Sequence, residues 1–251
     1  MLLPYRSRHF LGSCGVFLLG LLAVHGPAVG TAVADLQATY LFQDSLSAQE
    51  PTAPDLISVD PLGMNHFDDA FVYGLTRRVF QWVGNAFPTD EQAGLSLVTT
   101  DLIPPDNYSV EMVFKFFNEP PTWGRIIDVQ ERQSDNGFYV SPAQHLQIWE
   151  NGSLAEGSDI FTADVFHHVV LTNDASTGLV KAYLDGVLQL NGVTAVMDVD
   201  NLDDLMNFFL DNLEGIGTGE FANGQIALLR LYDDVLTDDT VAALAQNPFG
   251  D

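Results

Sequence analysis

The sequence predicts an all-β protein built as two stacked antiparallel sheets, closed by one short C-terminal helix. Three observations predict it. One stretch alternates strictly between apolar and polar residues, an Asp-Gly pair joins two apolar runs, and short β-rich runs recur between Gly, Pro, Asn and Asp clusters.

The alternating stretch is Tyr108-Ser-Val-Glu-Met-Val-Phe-Lys-Phe-Phe117. Tyr108, Val110, Met112, Phe114 and Phe116 make one apolar face, while Ser109, Glu111 and Lys115 fall on the other. No 3.6-residue stripe fits this run, and its aromatic and β-branched content favours a pleated strand. Further on, Phe166–Thr172 precedes a turn at Asn173–Gly178, and Val180–Leu184 is joined to Val187–Leu190 by Asp185-Gly186. Both residues of such a two-residue turn need positive φ, which Asp-Gly supplies at low cost. Thr39–Phe42, Val79–Trp82, Leu95–Thr99, Arg125–Val129, Phe138–Val140, His145–Trp149, Phe208–Asp211 and Gln225–Tyr232 are the remaining strand candidates. So many short strands with mostly short connections bury their apolar faces best as two packed sheets. The one helix expected begins at Leu236-Thr-Asp-Asp239, with a hydroxyl cap and first-turn acids, and stops at Asn247-Pro248.

Ahead of this domain, Arg6 and Arg8 precede the apolar run Val16–Val24 and a small-residue tail ending Ala32-Val-Ala34. That order reads as a secretory leader over residues 1–34, leaving a domain over 35–251. The apolar run is well short of the ~20 residues that span a bilayer. The chain's one cysteine, Cys14, would leave with the leader, so the domain has to fold on its apolar core without disulfides. No apolar tail or sorting signal follows Phe249, so the expected product is secreted, extracellular or periplasmic, and released from the membrane.

The whole chain carries a formal net charge of −25, from 34 acidic and 9 basic residues, and loss of Arg6 and Arg8 makes the balance more negative still. Such a field attracts cations and repels nucleic acid and anionic lipid, which gain no counterion release from it. It excludes nucleic acid as a partner.

Two segments resemble the laminin-G-like members of the concanavalin A-like jelly-roll superfamily. His167-His-Val-Val-Leu-Thr172 followed by Tyr183-Leu-Asp-Gly186 is similar to that family's strand, turn and hairpin. Gly224-Gln-Ile-Ala-Leu-Leu-Arg-Leu-Tyr232, running on to Leu236-Thr237, is similar to its closing strand and helix entry. Ala38–Leu46 is similar to its first strand. The resemblance implies a jelly-roll sandwich. It leaves function open, because the superfamily includes lectins, adhesion modules and glucan hydrolases.

Its hydrolases carry three acids alternating on one strand, which puts nucleophile and acid/base on one face. This sequence offers Glu111 followed by Val113 and Lys115, and Asp198-Val-Asp200 broken by Leu202. It has no G-x-S-x-G, and the expected domain has no cysteine nucleophile. His167 and His168 are neighbours on a strand, so they point to opposite faces and cannot chelate one metal together. A catalytic role is therefore not expected.

Calcium is the candidate cation for acid-rich loops. Asp198–Asp204 lacks the glycine and closing glutamate of a helix-loop-helix calcium site, and reads as surface acid. The pentraxin branch of the superfamily has acids and amides before its closing strand, which by resemblance nominates Asp211, Asn212 and Glu214 as ligands. Asp211 equally suits a turn-capping role. For a sugar, Trp123 is the leading aromatic platform, with Asp135 and Asn136 on a rim loop and Trp149 and Tyr139 as further aromatics. Each of these aromatics equally suits core packing. Asn107-Tyr-Ser and Asn151-Gly-Ser are glycosylation sequons. Together these readings describe a secreted, non-catalytic module that binds glycan or an extracellular protein through rim loops. The alternatives are a matrix protein without a discrete ligand site and, last, a glycoside hydrolase.

Overall fold

The computed structural model describes residues 34–118, 123–213, 215 and 217–250. The expected leader, apart from Ala34, lies outside the described residues, as does Glu214. In chain order the strands are β1 (Leu36–Tyr40), β2 (Ile57–Val59), β3 (His66–Val72), β4 (Leu75–Trp82), β5 (Gly94–Val98), β6 (Tyr108–Phe116), β7 (Gly124–Asp128) and β8 (Gly137–Val140). There follow β9 (Leu146–Trp149), β10 (Ser153–Glu156), β11 (His167–Asp174), β12 (Leu179–Leu184), β13 (Val187–Val193), β14 (Leu205–Phe208) and β15 (Gly224–Tyr232), then helix α1 (Asp238–Gln246).

One sheet runs β13-β12-β11-β6-β15-β4-β3, with β1 also pairing to β15; the other runs β10-β9-β8-β7-β14-β5-β2. Every pairing is antiparallel. The predicted face of β6, Tyr108 to Phe116, points wholly into the core between the sheets. There it meets Phe138, Ile148 and Phe208 from the second sheet. Trp82 stacks on Phe209 at 3.8 Å with the rings 4° from parallel, and its indole N–H donates to the Ala222 carbonyl. A buried indole thus satisfies its one donor while covering a large apolar area.

The other face of β6 is covered as well. Glu111, His168 and Tyr232 are buried beneath α1 and the C-terminal tail, in contact with Arg230. Val241 of the helix packs there on Val170, Tyr183 and Leu236. Thr237 caps α1 by accepting from the Thr240 N–H, as its position ahead of two acids predicts. The Asp185-Gly186 turn has φ of 50° and 82° and lies against α1: a Cβ on Gly186 would come 2.8 Å from that of Ala245.

Strand limits differ from expectation in a few places. Phe208–Asp211 is not a strand: β14 ends at Phe208, and Phe209 turns out of it at φ 65° to reach Trp82. β2, β3 and β10 escaped the sequence reading, and β1 ends before Phe42, whose φ is 56°. Among the described residues no helix is long and apolar enough to cross a membrane.

Candidate functional site

The outer face of the second sheet carries a buried polar ladder instead of an apolar surface. It starts at Ser96 on β5, whose hydroxyl donates to Asn207 at 2.5 Å. Asn207 on β14 donates to Asp128 at 3.0 Å, and Asp128 on β7 accepts from Arg125 at 2.9 Å. Arg125 in turn donates to the Tyr139 hydroxyl on β8 at 2.7 Å. These are cross-strand neighbours, since Asn207 pairs in register with both Ser96 and Asp128, and Arg125 with Tyr139. Every member is buried.

Arg125 ties two loops to this ladder. It donates to the carbonyls of Ser134 and Asn136 in the β7–β8 loop, and its Nε stands 3.4 Å from Asp211 in the β14–β15 loop. Arg132 completes the tie by donating to the Asp211 carbonyl at 2.6 Å and to Gln92 at 2.7 Å. Burial alone would lower the Arg125 pKa, but Tyr139, Asp128 and Asp211 more than reverse it. Burial pushes the Tyr139 phenol well above its usual range, so it acts as a neutral hydrogen-bonding group: it donates to the Asp135 carbonyl at 2.7 Å.

Beside this hub lies an open cleft of about 370 Å³, lined by Ser134, Asp135, Asn136, Trp149, Asn151 and Gly152. Trp123 packs on the lining residue Trp149, edge-on at 5.2 Å, and on Tyr139 at 5.7 Å. Trp123 and Trp149 are half-buried and neither joins the inter-sheet core, so the core-packing alternative does not describe them. The structure therefore brings Trp123, Asp135 and Asn136 together at one place. It sets Trp149 and Tyr139 beside them, and adds Arg125 and Glu220, which the sequence reading did not single out. The signal for Arg125 was an arginine inside the apolar run Gly124-Arg-Ile-Ile-Asp128.

Asp211 and Asn212 are both fully buried. One Asp211 oxygen accepts from the Glu220 N–H at 2.8 Å, and the other faces Arg125. A guanidinium already beside that carboxylate opposes a second cation, so these residues do not fit a calcium ion. Among the described residues no group of three or more His, Cys, Asp or Glu side chains is placed to hold a metal. Burial raises the Asp211 pKa, and Arg125 only partly offsets it. Glu220, also on this loop, is pushed up to about 8 by burial and by the nearby Asp135 and Asp211 carboxylates.

Comparison with known proteins fits this architecture. Sequence comparison with curated proteins finds no match. Domain 4 of AbnA, an extracellular GH43 arabinanase of Geobacillus stearothermophilus, solved with arabinotriose, superposes with a TM-score of 0.59 at 19% identity, over 85% of this chain and 99% of that one. A botulinum neurotoxin type C structure, from work on its interaction with two gangliosides, superposes at 0.55 with 13% identity. The binding domain of botulinum neurotoxin DC, solved with rat synaptotagmin II, does so at 0.55 with 13% identity. These matches cover 85% and 84% of this chain but only about half of each toxin chain. The family model describing the concanavalin A-like lectin/glucanase superfamily, of laminin G type, matches residues 89–242, more than half of the sequence. With the two-sheet sandwich in place, that match makes the chain a member of this superfamily.

Proposed function

We propose that the protein is an exported, non-catalytic module that binds a saccharide in the cleft between Trp123, Trp149 and the Asp135-Asn136 loop. The observation that carries this reading is the aromatic corner beside fixed polar groups. Sugar rings have an apolar face that stacks on indole and hydroxyls that need precisely held partners, and this cleft offers both. Asn136 is itself held, its side chain accepting from the Asn151 N–H at 2.9 Å. Structural neighbours solved with or linked to saccharides support the ligand class.

A non-catalytic role is supported by the sheet face itself. Asp128, the carboxylate that β7 contributes there, is buried, with one oxygen on Arg125 and the other accepting from Asn207, so it is not presented to a substrate. The expected leader supports export.

Trp149 lines the cleft and Trp123 packs on it, so intrinsic fluorescence reads occupancy directly. Titration with a panel of oligosaccharides is expected to shift the emission, and Trp149→Ala is expected to abolish binding with the melting temperature nearly unchanged. Binding that survives both Trp123→Ala and Trp149→Ala would place the site elsewhere. Release of reducing sugar from any panel member would overturn the non-catalytic reading.

A further inference from the structure

The loop Ser134-Asp135-Asn136 lines the cleft with its main-chain acceptors turned away from it. The carbonyls of Ser134 and Asn136 accept from the Arg125 guanidinium at 3.0 and 3.1 Å, and that of Asp135 accepts from the Tyr139 hydroxyl at 2.7 Å. Arg125 and Tyr139 are both buried, so all of these carbonyls point into the protein.

The donors of the same residues are left over. Asn136 Oδ1 accepts from the Asn151 N–H at 2.9 Å. That main-chain N–H needs an acceptor, which fixes the way the side-chain amide stands. Asn136 Nδ2 then donates to nothing among the described residues. The Ser134 hydroxyl accepts from the Asn136 N–H at 3.1 Å and keeps its own hydrogen to give. The indole N–H of Trp149, another lining residue, has no acceptor among the described residues either. Trp149 lies directly opposite Gly137 in the β8–β9 register, and Gly137 brings no side chain, so the indole borders the end of the loop at Asn136. Asp135 is the one carboxylate among the lining residues and puts an acceptor next in sequence to the Asn136 donor.

A free donor beside an acceptor complements an amide, which has one C=O and one N–H. A free amine offers only donors and would leave Asn136 Nδ2 unpaired, while a carboxylate offers only acceptors and would meet Asp135. A hydroxyl can serve either group but brings no methyl to cover the indole.

We propose that the cleft selects a saccharide bearing an acetamido group, of the N-acetylhexosamine type. Its acetamido carbonyl accepts from Asn136 Nδ2, its N–H donates to Asp135, and its methyl group lies against Trp149. This rests on the saccharide reading above and names the substrate class.

The test compares three oligosaccharides of equal length and linkage by tryptophan fluorescence and calorimetry. They are N-acetylglucosamine oligomers, glucose oligomers with a hydroxyl in place of the acetamide, and glucosamine oligomers with a free amine. The acetylated series is expected to bind at least about tenfold more tightly than either of the others, because they leave a polar group of the site unpaired or the indole uncovered. Asn136→Asp keeps an acceptor for the Asn151 N–H and turns only the free donor into an acceptor, with folding checked by thermal melting. It is expected to bring the acetylated and glucose affinities to within about twofold of each other. Equal affinity of the parent for acetylated and glucose oligomers, or tighter binding of the amine, would overturn the acetamido proposal while leaving the saccharide reading standing. So would an undiminished acetyl preference in folded Asn136→Asp. Failure of every saccharide to bind would overturn both.

Discussion

Arg125 and Asp128, three residues apart on β7, meet at 2.9 Å with neither side chain reaching solvent. The guanidinium also meets Asp211 from a different loop, so one side chain joins two segments 86 positions apart in the sequence, Arg125 and Asp211. Removing one partner of a buried pair leaves the other charge without compensation, and that penalty exceeds what the intact pair contributes.

Arg125→Met is therefore expected to destabilise the fold by about 3–5 kcal/mol, read as a lower urea midpoint at similar slope. Arg125→Lys should recover only part of this, because a point ammonium cannot serve Asp128, Tyr139 and two carbonyls at once. A loss below about 1 kcal/mol for the methionine variant would show that the loops are held by other contacts.

Glu220 gives the alkaline side of the stability curve. Its carboxyl titrates near 4.5 when unfolded and at about 8 when folded. Between those values the folded chain keeps a proton that the unfolded chain has released. Stability therefore falls as pH rises through that window and levels off above about 8. Glu220→Gln stays neutral throughout, so its melting temperature should fall less than that of the parent between about pH 5 and 9. The partial exposure of Glu220 makes the difference smaller than the full shift implies. Parallel curves for the two proteins would refute the raised pKa of Glu220.

Glu111 gives the acid side. Burial raises its pKa, but His168 at 3.1 Å, the Arg230 charge and the Tyr232 hydroxyl at 2.6 Å together bring it below the ordinary 4.5. A lowered carboxylate contributes stability above 4.5 that is lost as pH falls through the folded value. Glu111→Gln should cost about 1.5–3 kcal/mol near neutrality and flatten the acid limb in a denaturation series. An unchanged acid limb would assign acid unfolding to other groups.

Asn151 is exposed, begins a sequon and lines the ligand cleft. The other sequon asparagine, Asn107, is half-buried and donates to Asp234 at 2.9 Å. Production in a glycosylating secretory host is expected to modify Asn151 and suppress saccharide binding, with Asn151→Gln restoring it. Full binding by protein shown by mass spectrometry to carry the glycan would move the site away from this cleft.

Much of the fold was legible because local and tertiary demands coincide. The alternation on β6 matched a strand buried on one side by the opposite sheet, and Thr237 capped the helix it announced. Where the two demands diverge, the sequence misled. In Phe208-Phe-Leu-Asp211 an unbroken apolar run reads as strand, yet Phe209 leaves the ladder to stack on Trp82, and periodicity cannot separate a strand from a buried loop. Edge strand β3 was missed because Asp68 and Asp69 read as loop residues, though such charges are what an exposed sheet edge tolerates. Of the site, Trp123, Asp135 and Asn136 were legible as an aromatic near a polar rim. Arg125 and Glu220 were not, since what they do depends on loops far apart in sequence being brought together.

The turn at Asp185-Gly186 carries a consequence beyond its hairpin. Gly186 is fixed twice, by its left-handed backbone and by the helix pressed against it, with Ala245 only 2.8 Å from where a Cβ would stand. Substituting alanine would strain the turn and push away a helix some sixty residues downstream in a single stroke. Lengthening the turn by one residue would do the same, although such tips are commonly where chains accept insertions. The tip of this hairpin works as a keystone, and grafts or tags belong at other loops.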